Sequence, residues 1–418
     1  MAGPVANRIL CLDQFSHMGG GQRFLLDVIG ELLGRRLPVV AALPGDGSVA
    51  LRLRDLGVPV LPYALPDMAA HRKSSRDGVA YAASLFSATR QLLNYIVKYD
   101  VGVIHVNGPR CLLPALMAAT IRGVPVITSV HLIFDGGKEF KLLRWCYGRK
   151  AVRAVTFGSR LMAQPFKELE PKKKHIISNW ASREFFEAPL QRAAFRAAHG
   201  WPDDAVVVGV LGRIARAKGQ RLFVEAVLPL LSKHPKLIAV VGGSSDHEDP
   251  GEEQSLRDMA AAHVTHGRII FTGTVSNAAA FYDGMDAVVI PSLWAEPFGL
   301  VAVEAMARGK AVVCTRSGAL VEIVEDEVTG LHADPTAGSL RAGVHRLVEN
   351  SGLRVRLGDA GLLRAKAQFD GAISRGRIAD LIAGCLAART PAVSQQADSA
   401  AAFPSGFGAV QSPAERSL

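Results

Sequence analysis

In the stretch EPFGLVAVEA, Glu296 stands just before a proline and Glu304 follows eight residues later inside an apolar segment. Paired carboxylates can act as the acid and the nucleophile of a retaining glycosidase when they lie about 5 Å apart. They can also accept hydrogen bonds from the hydroxyl groups of a diol. A second cluster weighs on that choice: in GVLGRIARAKGQ the cations Arg213 and Lys218 share one loop. A guanidinium bridges two oxygens and an ammonium acts as a mobile point charge, a combination that suits a diphosphate. The plainer alternative is two loop charges bound to water. A glycosidase has no use for a diphosphate cradle.

The elements around these residues place them. AVVVGVLG reads as a strand ending at Gly212, with a helix starting near Gly219, so both cations lie at a strand's carboxyl end. AVVIPS reads as a strand ending at Ser292; LWAEP is loop, because Pro297 biases Glu296 away from helical geometry, and a helix starts near Phe298 to Leu300. Glu296 then sits in a crevice. The free N–H groups near Phe298, Gly299 and Leu300 can cradle a phosphate, with Gly299 permitting close backbone approach. Glu304, in the first turns, can bind a diol such as a ribose. Otherwise it is an exposed helical residue paired with Arg308 at i+4, a contact of about 0.2–0.5 kcal/mol. Near the amino end, SHMGGGQRF sets Gly19, Gly20 and Gly21 between a strand and a helix, either exposing backbone amides or making a plain tight connection. It is not a dinucleotide fingerprint, since Phe24 stands where the last small residue belongs, and no Walker A sequence is present. Val275 follows FTGT at a strand end, where main-chain groups could read a base.

Short β-branched runs alternate with amphipathic helical patterns in two series, which predicts an α/β protein of two doubly wound parallel-sheet domains. RILCLD, PVVAAL, VGVIHV, VPVITSV and AVTFGS are the strands of residues 1–185. After a linker over 186–205, a second domain over 206–370 uses AVVVGVLG, LIAVVGG, RIIFTG, AVVIPS and KAVVCT. A helical segment over 371–390 and a disordered Ala-, Ser-, Gln- and Pro-rich tail over 391–418 complete the expected order. Such domains hold ligands beyond the carboxyl ends of their strands, where the residues above fall.

The chain has 418 residues, 49% of them hydrophobic, enough for two packed domains. Its five cysteines are scattered and form no C-x-x-C pair, which reads as reduced thiols in a cytoplasmic protein. MAGPVANRIL lacks a basic segment followed by an apolar core, and no apolar run approaches the ~18 residues that span a bilayer. The net charge of +10 concentrates from Lys138 to Lys174, where eleven Lys and Arg meet three Glu. Three readings stand: an anionic membrane met by KEFKLLRWCYGRK, whose Phe140, Leu143 and Tyr147 share a helical face; a polyanionic substrate; or a solvated face. Nucleic acid is not expected, because no zinc-finger spacing or RNP-like aromatic signature accompanies the charge.

Taken in order, GRIARAKG, FTGTVSN, MDAVVIPSLWAEPFGLVAVEAMARGKAVV and SGALVEIVEDEVTGLHADP resemble the donor-binding domain of retaining glycosyltransferases of family 4. Glu296 and Glu304 match that family's paired glutamates. The resemblance implies a GT-B fold, two Rossmann-like domains facing across a cleft, and a nucleotide-diphosphate sugar as donor. It implies Arg213 and Lys218 on the diphosphate, Glu304 on the ribose and Glu296 on the sugar. It also implies transfer with retention to a saccharide or lipid-linked acceptor, the departing phosphate oxygen taking the acceptor's proton. No cofactor beyond the donor and no metal is expected, since the cations and the helix start already neutralise a diphosphate. In the first domain the glycine loop resembles the one near the donor phosphates or the acceptor. His131 resembles the histidine at the sugar end of the cleft, while Ser159 and Asn179 match weaker positions; His105 is similar in placement but is not assigned. Where the family commonly has Asn-Gly followed by Asp, this chain has Asn179, Trp180 and then Ser182. A nucleotide-sugar-binding regulator or subunit without transfer activity is the alternative from a different class.

Overall fold

The computed structural model describes residues 7–66, 75–134, 136–245 and 249–388. The tail expected over 391–418 lies outside them. The first half builds a seven-stranded sheet from β1 (Arg8–Leu12), β2 (Val39–Leu43), β3 (Val60–Pro62), β4 (Val101–Val106), β5 (Val126–Val130), β6 (Val152–Phe157) and β7 (Lys174–Ile176). Its spatial order is β3-β2-β1-β4-β5-β6-β7, all parallel. The second half builds β8 (Val206–Leu211), β9 (Leu237–Gly242), β10 (Ile269–Gly273), β11 (Ala287–Ile290), β12 (Ala311–Thr315) and β13 (Leu331–Ala333). They run β10-β9-β8-β11-β12-β13, again parallel. Central strands such as β2, β9 and β12 are buried at every residue, because helices cover both faces of each sheet.

Each sheet reverses its winding once, between β1 and β4 and between β8 and β11. At such a switch point neighbouring connections leave in opposite directions and open a crevice. The sequence reading identified every central strand but not β3, β7 or β13. These are three-residue edge strands, too short to show a period of two.

Between the sheets the chain forms the helices Glu184–Glu187 and Arg192–Ala198, held against the second sheet by two buried arginines. Arg196 reaches the Gly284 and Ala205 carbonyls at 3.0 Å each and Asp286 at 2.7 Å. Arg308 pairs with Asp283 at 2.6 Å and donates to the carbonyls of Phe185, Ala188 and Pro189. The final helix, Gly371–Ala387, crosses back to the first domain and packs Ile378, Ala379 and Ile382 with Ile9, Cys11 and Val103. Its arrival is marked by a backbone bond from Ala181 to the Phe369 carbonyl at 3.2 Å.

Candidate active site

On the second-domain side, the loops after β8 and β11 lock together. Leu293 N–H donates to the Ala217 carbonyl at 2.9 Å, and Gly219, at φ +74°, passes so close that a Cβ would lie 2.0 Å from the Pro291 oxygen. Lys218 is thereby aimed at Glu296, with Nζ 2.7 Å from Oε1, and Ser292 Oγ donates to the same oxygen at 2.6 Å. The ammonium also lies 5.3 Å above the Trp294 ring. Behind the glutamate, Ala319 N–H holds the Glu296 carbonyl at 2.8 Å, and Gly318, at φ +60°, leaves the space that its backbone fills. The next helix, Leu300–Ala307, starts from Gly299 at φ +102° with no side-chain cap, so its first amides remain for a ligand.

The first-domain side is built from neutral groups and one buried carboxylate. Gly20 and Gly21 open the helix Gly20–Gly34 beside His131, whose ring a Cβ on Gly21 would touch at 3.5 Å. His131 Nε2 bonds Asn107 Oδ1 at 2.8 Å, while Asn107 Nδ2 donates to Asp13 Oδ2 at 2.6 Å and to the Gly21 carbonyl at 2.8 Å. Asp13 Oδ1 also accepts from Phe15 N–H and from Gln22 Nε2, each at 2.9 Å. Burial raises the Asp13 carboxyl pKa, opposed by its bonds from Asn107, Phe15 and Gln22. Burial also lowers His131 to about 4, so the imidazole is neutral at pH 7. His105 is different: it lies inside the sheet, bonded to Ser129 at 3.0 Å, and burial takes it down to about 3. Sequence reasoning missed Asp13 and Asn107. The available signal was a polar residue directly after each of the two buried strands that flank the switch point, β1 and β4.

A cavity of about 250 Å³ joins the two sides. It brings together Gly20, Gly21, His131, Asn179, Lys218, Glu296, Phe298, Gly299 and Leu300 from the sequence reading, with Gln220 added. Arg213, Val275 and Glu304 are not among its lining residues. Arg213 is exposed at the end of β8, where its carbonyl accepts from Gln220 Nε2 at 2.9 Å. Val275 packs against the second-domain core beyond β10. Glu304 accepts from the Tyr282 hydroxyl at 2.9 Å, and burial pushes its carboxyl up to about 7 against the opposing pull of that bond and of Arg23. The i+4 pairing with Arg308 does not form, because Arg308 is turned inward onto Asp283. Ser159 ties the two walls, its Oγ donating to the Pro297 carbonyl at 2.8 Å. Glu322 does the same by accepting the amides of Arg160 and Leu161 at 2.9 and 2.7 Å.

The apolar face ascribed to KEFKLLRWCYGRK belongs to the core. Leu143 and Tyr147 are buried, and Phe140 and Tyr147 pack on Phe166 at 5.1 and 5.2 Å between ring centres. What the helix Gly137–Gly148 exposes instead is Leu142 and Trp145 among Lys138, Lys141 and Arg144. Lys173 is also internal, donating to the Gly148 and Arg149 carbonyls at 3.3 and 3.1 Å. No helix among the described residues is long and apolar enough to cross a membrane. Among those residues one group has metal-ligand character, His234, His345 and Glu349. It sits past the far end of the helix Gln220–Lys233, away from the cavity that this helix's start lines.

Two parallel-sheet domains meeting at their switch points across a shared cavity define a GT-B protein. A solved structure from Anabaena, Alr3699/HepE in complex with UDP, shares this fold at a TM-score of 0.77 over 90% of this chain and 100% of that one, at 21% identity. Residues 18–185 match the model described as Glycosyltransferase Family 4, and residues 191–364 match that described as Glycosyl transferases group 1. A Bacillus subtilis protein named as a glycosyltransferase, YtcC, is 32% identical over 65% of this chain and 70% of its own length. The lipopolysaccharide core biosynthesis mannosyltransferase LpsB of Rhizobium meliloti is 34% identical over 46% of this chain, which spans 56% of that relative. The chain belongs to the group 1 glycosyltransferases, of the family 4 type.

Proposed function

We propose that the protein transfers a sugar, with retention at the anomeric carbon, from a nucleotide-diphosphate sugar to a saccharide or lipid-linked acceptor. The observation that carries this reading is the pairing of Lys218 with Glu296 at 2.7 Å beside an uncapped helix start, in a cavity whose opposite wall holds His131. As the donor's carbon–oxygen bond to phosphate breaks, negative charge grows on the diphosphate while the sugar becomes oxocarbenium-like. A fixed ammonium and oriented amides stabilise that charge without having to reorganise. Lys218 and the amides around Gly299 and Leu300 face the leaving diphosphate, with Arg213 at the rim as a second cation. The departing phosphate oxygen takes the acceptor's proton as the new carbon–oxygen bond forms on the same face, so no protein base is required. Glu296 holds the sugar, and Glu304, one turn into its helix and outside the cavity lining, exchanges its bond from the Tyr282 hydroxyl for a ribose hydroxyl. Gly20 and Gly21 approach the phosphates from the first domain, and Val275 meets the base through its main chain.

Three observations support this reading. Among the described residues that line the cavity Glu296 is the single carboxylate, whereas a glycosidase needs two facing the same bond. The HepE neighbour has been solved with UDP-glucose, which supports a nucleotide sugar as donor. The exposed Trp145 and Leu142 among lysines and an arginine would suit peripheral contact with an anionic membrane carrying a lipid-linked acceptor.

The deciding test is a thermal-shift and turnover panel of UDP-, GDP-, ADP- and CDP-sugars, with NMR of the product's anomeric configuration. A ligand at 100 times its Kd adds about 2.7 kcal/mol, a rise of a few degrees. One nucleotide family should raise the melting temperature and yield a product of unchanged configuration. Stabilisation without turnover over an acceptor panel would indicate the regulator instead. No shift with any nucleotide sugar would refute the donor site.

A further inference from the structure

The hydrogen bonds of the first wall fix which nitrogen of His131 carries its proton. Asn107 Nδ2 contacts two oxygens, Asp13 Oδ2 at 2.6 Å and the Gly21 carbonyl at 2.8 Å. A carbonyl oxygen can only accept, so this end of the amide is the NH2, and the opposite end, facing His131 Nε2 at 2.8 Å, is the oxygen. An amide oxygen facing a ring nitrogen requires that nitrogen to donate. Asp13 fits the same direction. Its Oδ1 accepts from Phe15 N–H and Gln22 Nε2, and its Oδ2 accepts from Asn107, so all three contacts call on it as an acceptor. Asp13 and Asn107 are 0% and 3% exposed, which removes water as a competing partner.

Resting on the glycosyl-transfer reading above, we propose that Asn107, oriented by Asp13, is a positioning residue that locks His131 as its Nε2–H tautomer. The lock leaves Nδ1 as a hydrogen-bond acceptor for a hydroxyl of the bound sugar. Phe24, edge-on to the imidazole at 4.7 Å between ring centres, holds the ring plane. The same Asn107 amide grips the Gly21 carbonyl, so the glycine loop and the histidine are set by one side chain. With Nδ1 as acceptor, the wall selects ligands that present a hydroxyl there and discriminates against those that present an oxygen without a proton.

The test begins on the wild-type, full-length protein. Nitrogen-15 NMR with labelled histidine, the His131 signal being assigned by its loss in His131→Asn, should show a neutral ring protonated at Nε2 at pH 7. In Asn107→Ala that tautomer should give way to a mixture. A wild-type ring protonated at Nδ1, or a tautomer unmoved by Asn107→Ala, would overturn the lock. The kinetic arm uses two amides that mimic opposite ends of the ring. His131→Asn keeps an acceptor near the Nδ1 position and should retain on the order of tenfold more kcat/KM than His131→Gln, which keeps a group near Nε2. The reverse ranking would overturn the role of Nδ1. Failure of every donor to react would sink the transferase reading, while the tautomer measurement still decides the lock.

Discussion

The two walls of the cavity solve the same problem, holding reactive groups still, by different means. The second-domain wall uses charge: Lys218 and Glu296 neutralise each other at 2.7 Å beside a helix start. The first-domain wall uses a hydrogen-bond chain from Asp13 through Asn107 to a neutral His131. A preformed charge pair can be split by an incoming diphosphate, so it responds to the ligand. A chain buried among saturated partners has one arrangement and does not respond. One wall is thus built to exchange partners and the other to present a fixed shape.

The largest effect should follow loss of the charge. Lys218→Ala is expected to lower kcat by about 10²–10³-fold with the His131 tautomer unaltered; turnover within a factor of a few of wild type would remove Lys218 from the mechanism. Next comes the support of Glu296. Gly318→Ala places a Cβ 2.1 Å from the Glu296 nitrogen at φ +60°, so chemical denaturation should show a loss of about 1–3 kcal/mol together with lower turnover. Unchanged stability and rate would mean that the loop yields freely and that the second wall is less rigid than its geometry implies.

A third experiment sharpens the contrast through pH. Glu304 is raised from 4.5 to about 7 by burial, so between those values the native state holds a proton that the unfolded chain has released. Its contribution to stability therefore falls as pH rises from about 4.5 to 7 and is level above that. In Glu304→Gln this contribution is absent, and wild type should lose stability relative to the variant across that window in denaturation curves at pH 5, 6, 7 and 8. Parallel curves would contradict the raised carboxyl. The smallest effect is expected for Glu322→Ala, which removes the acceptor for the Arg160 and Leu161 amides. Stability should fall by about 0.5–1.5 kcal/mol, and small-angle scattering should show a slightly wider separation of the domains; identical scattering would assign the closure to Ser159 and the core contacts instead.

Much of the second wall was legible in the sequence. Strand ends followed by Gly219 and Pro297 forced Lys218 and Glu296 onto adjacent loops, and Gly299 marked the helix start. The glutamate at 304 was placed correctly on that helix, yet its partner was not, since Tyr282 comes from a helix 22 residues away in sequence. The first wall was legible only as glycines and a lone histidine, because the residues that orient His131 directly follow β1 and β4 and lie 94 residues apart. For the helix Gly137–Gly148 the sequence left three readings open, one of them an apolar face meeting a membrane, since periodicity tells that a face exists but not what covers it.

Sequence alone determined the two parallel-sheet domains, the loops that carry the charges and the family to which the motifs belong. The domains and loops follow from local pattern, namely hydrophobic period, turn residues and spacing within a few tens of residues; the family follows from the resemblance of whole motifs. Tertiary structure decided which side chains meet, namely Asp13 with Asn107 and His131, Arg308 with Asp283 rather than Glu304, and Phe140 with Phe166 rather than solvent. Those pairings join residues from different elements. They exist only once the sheets have ordered their strands and burial has removed water as the competing partner.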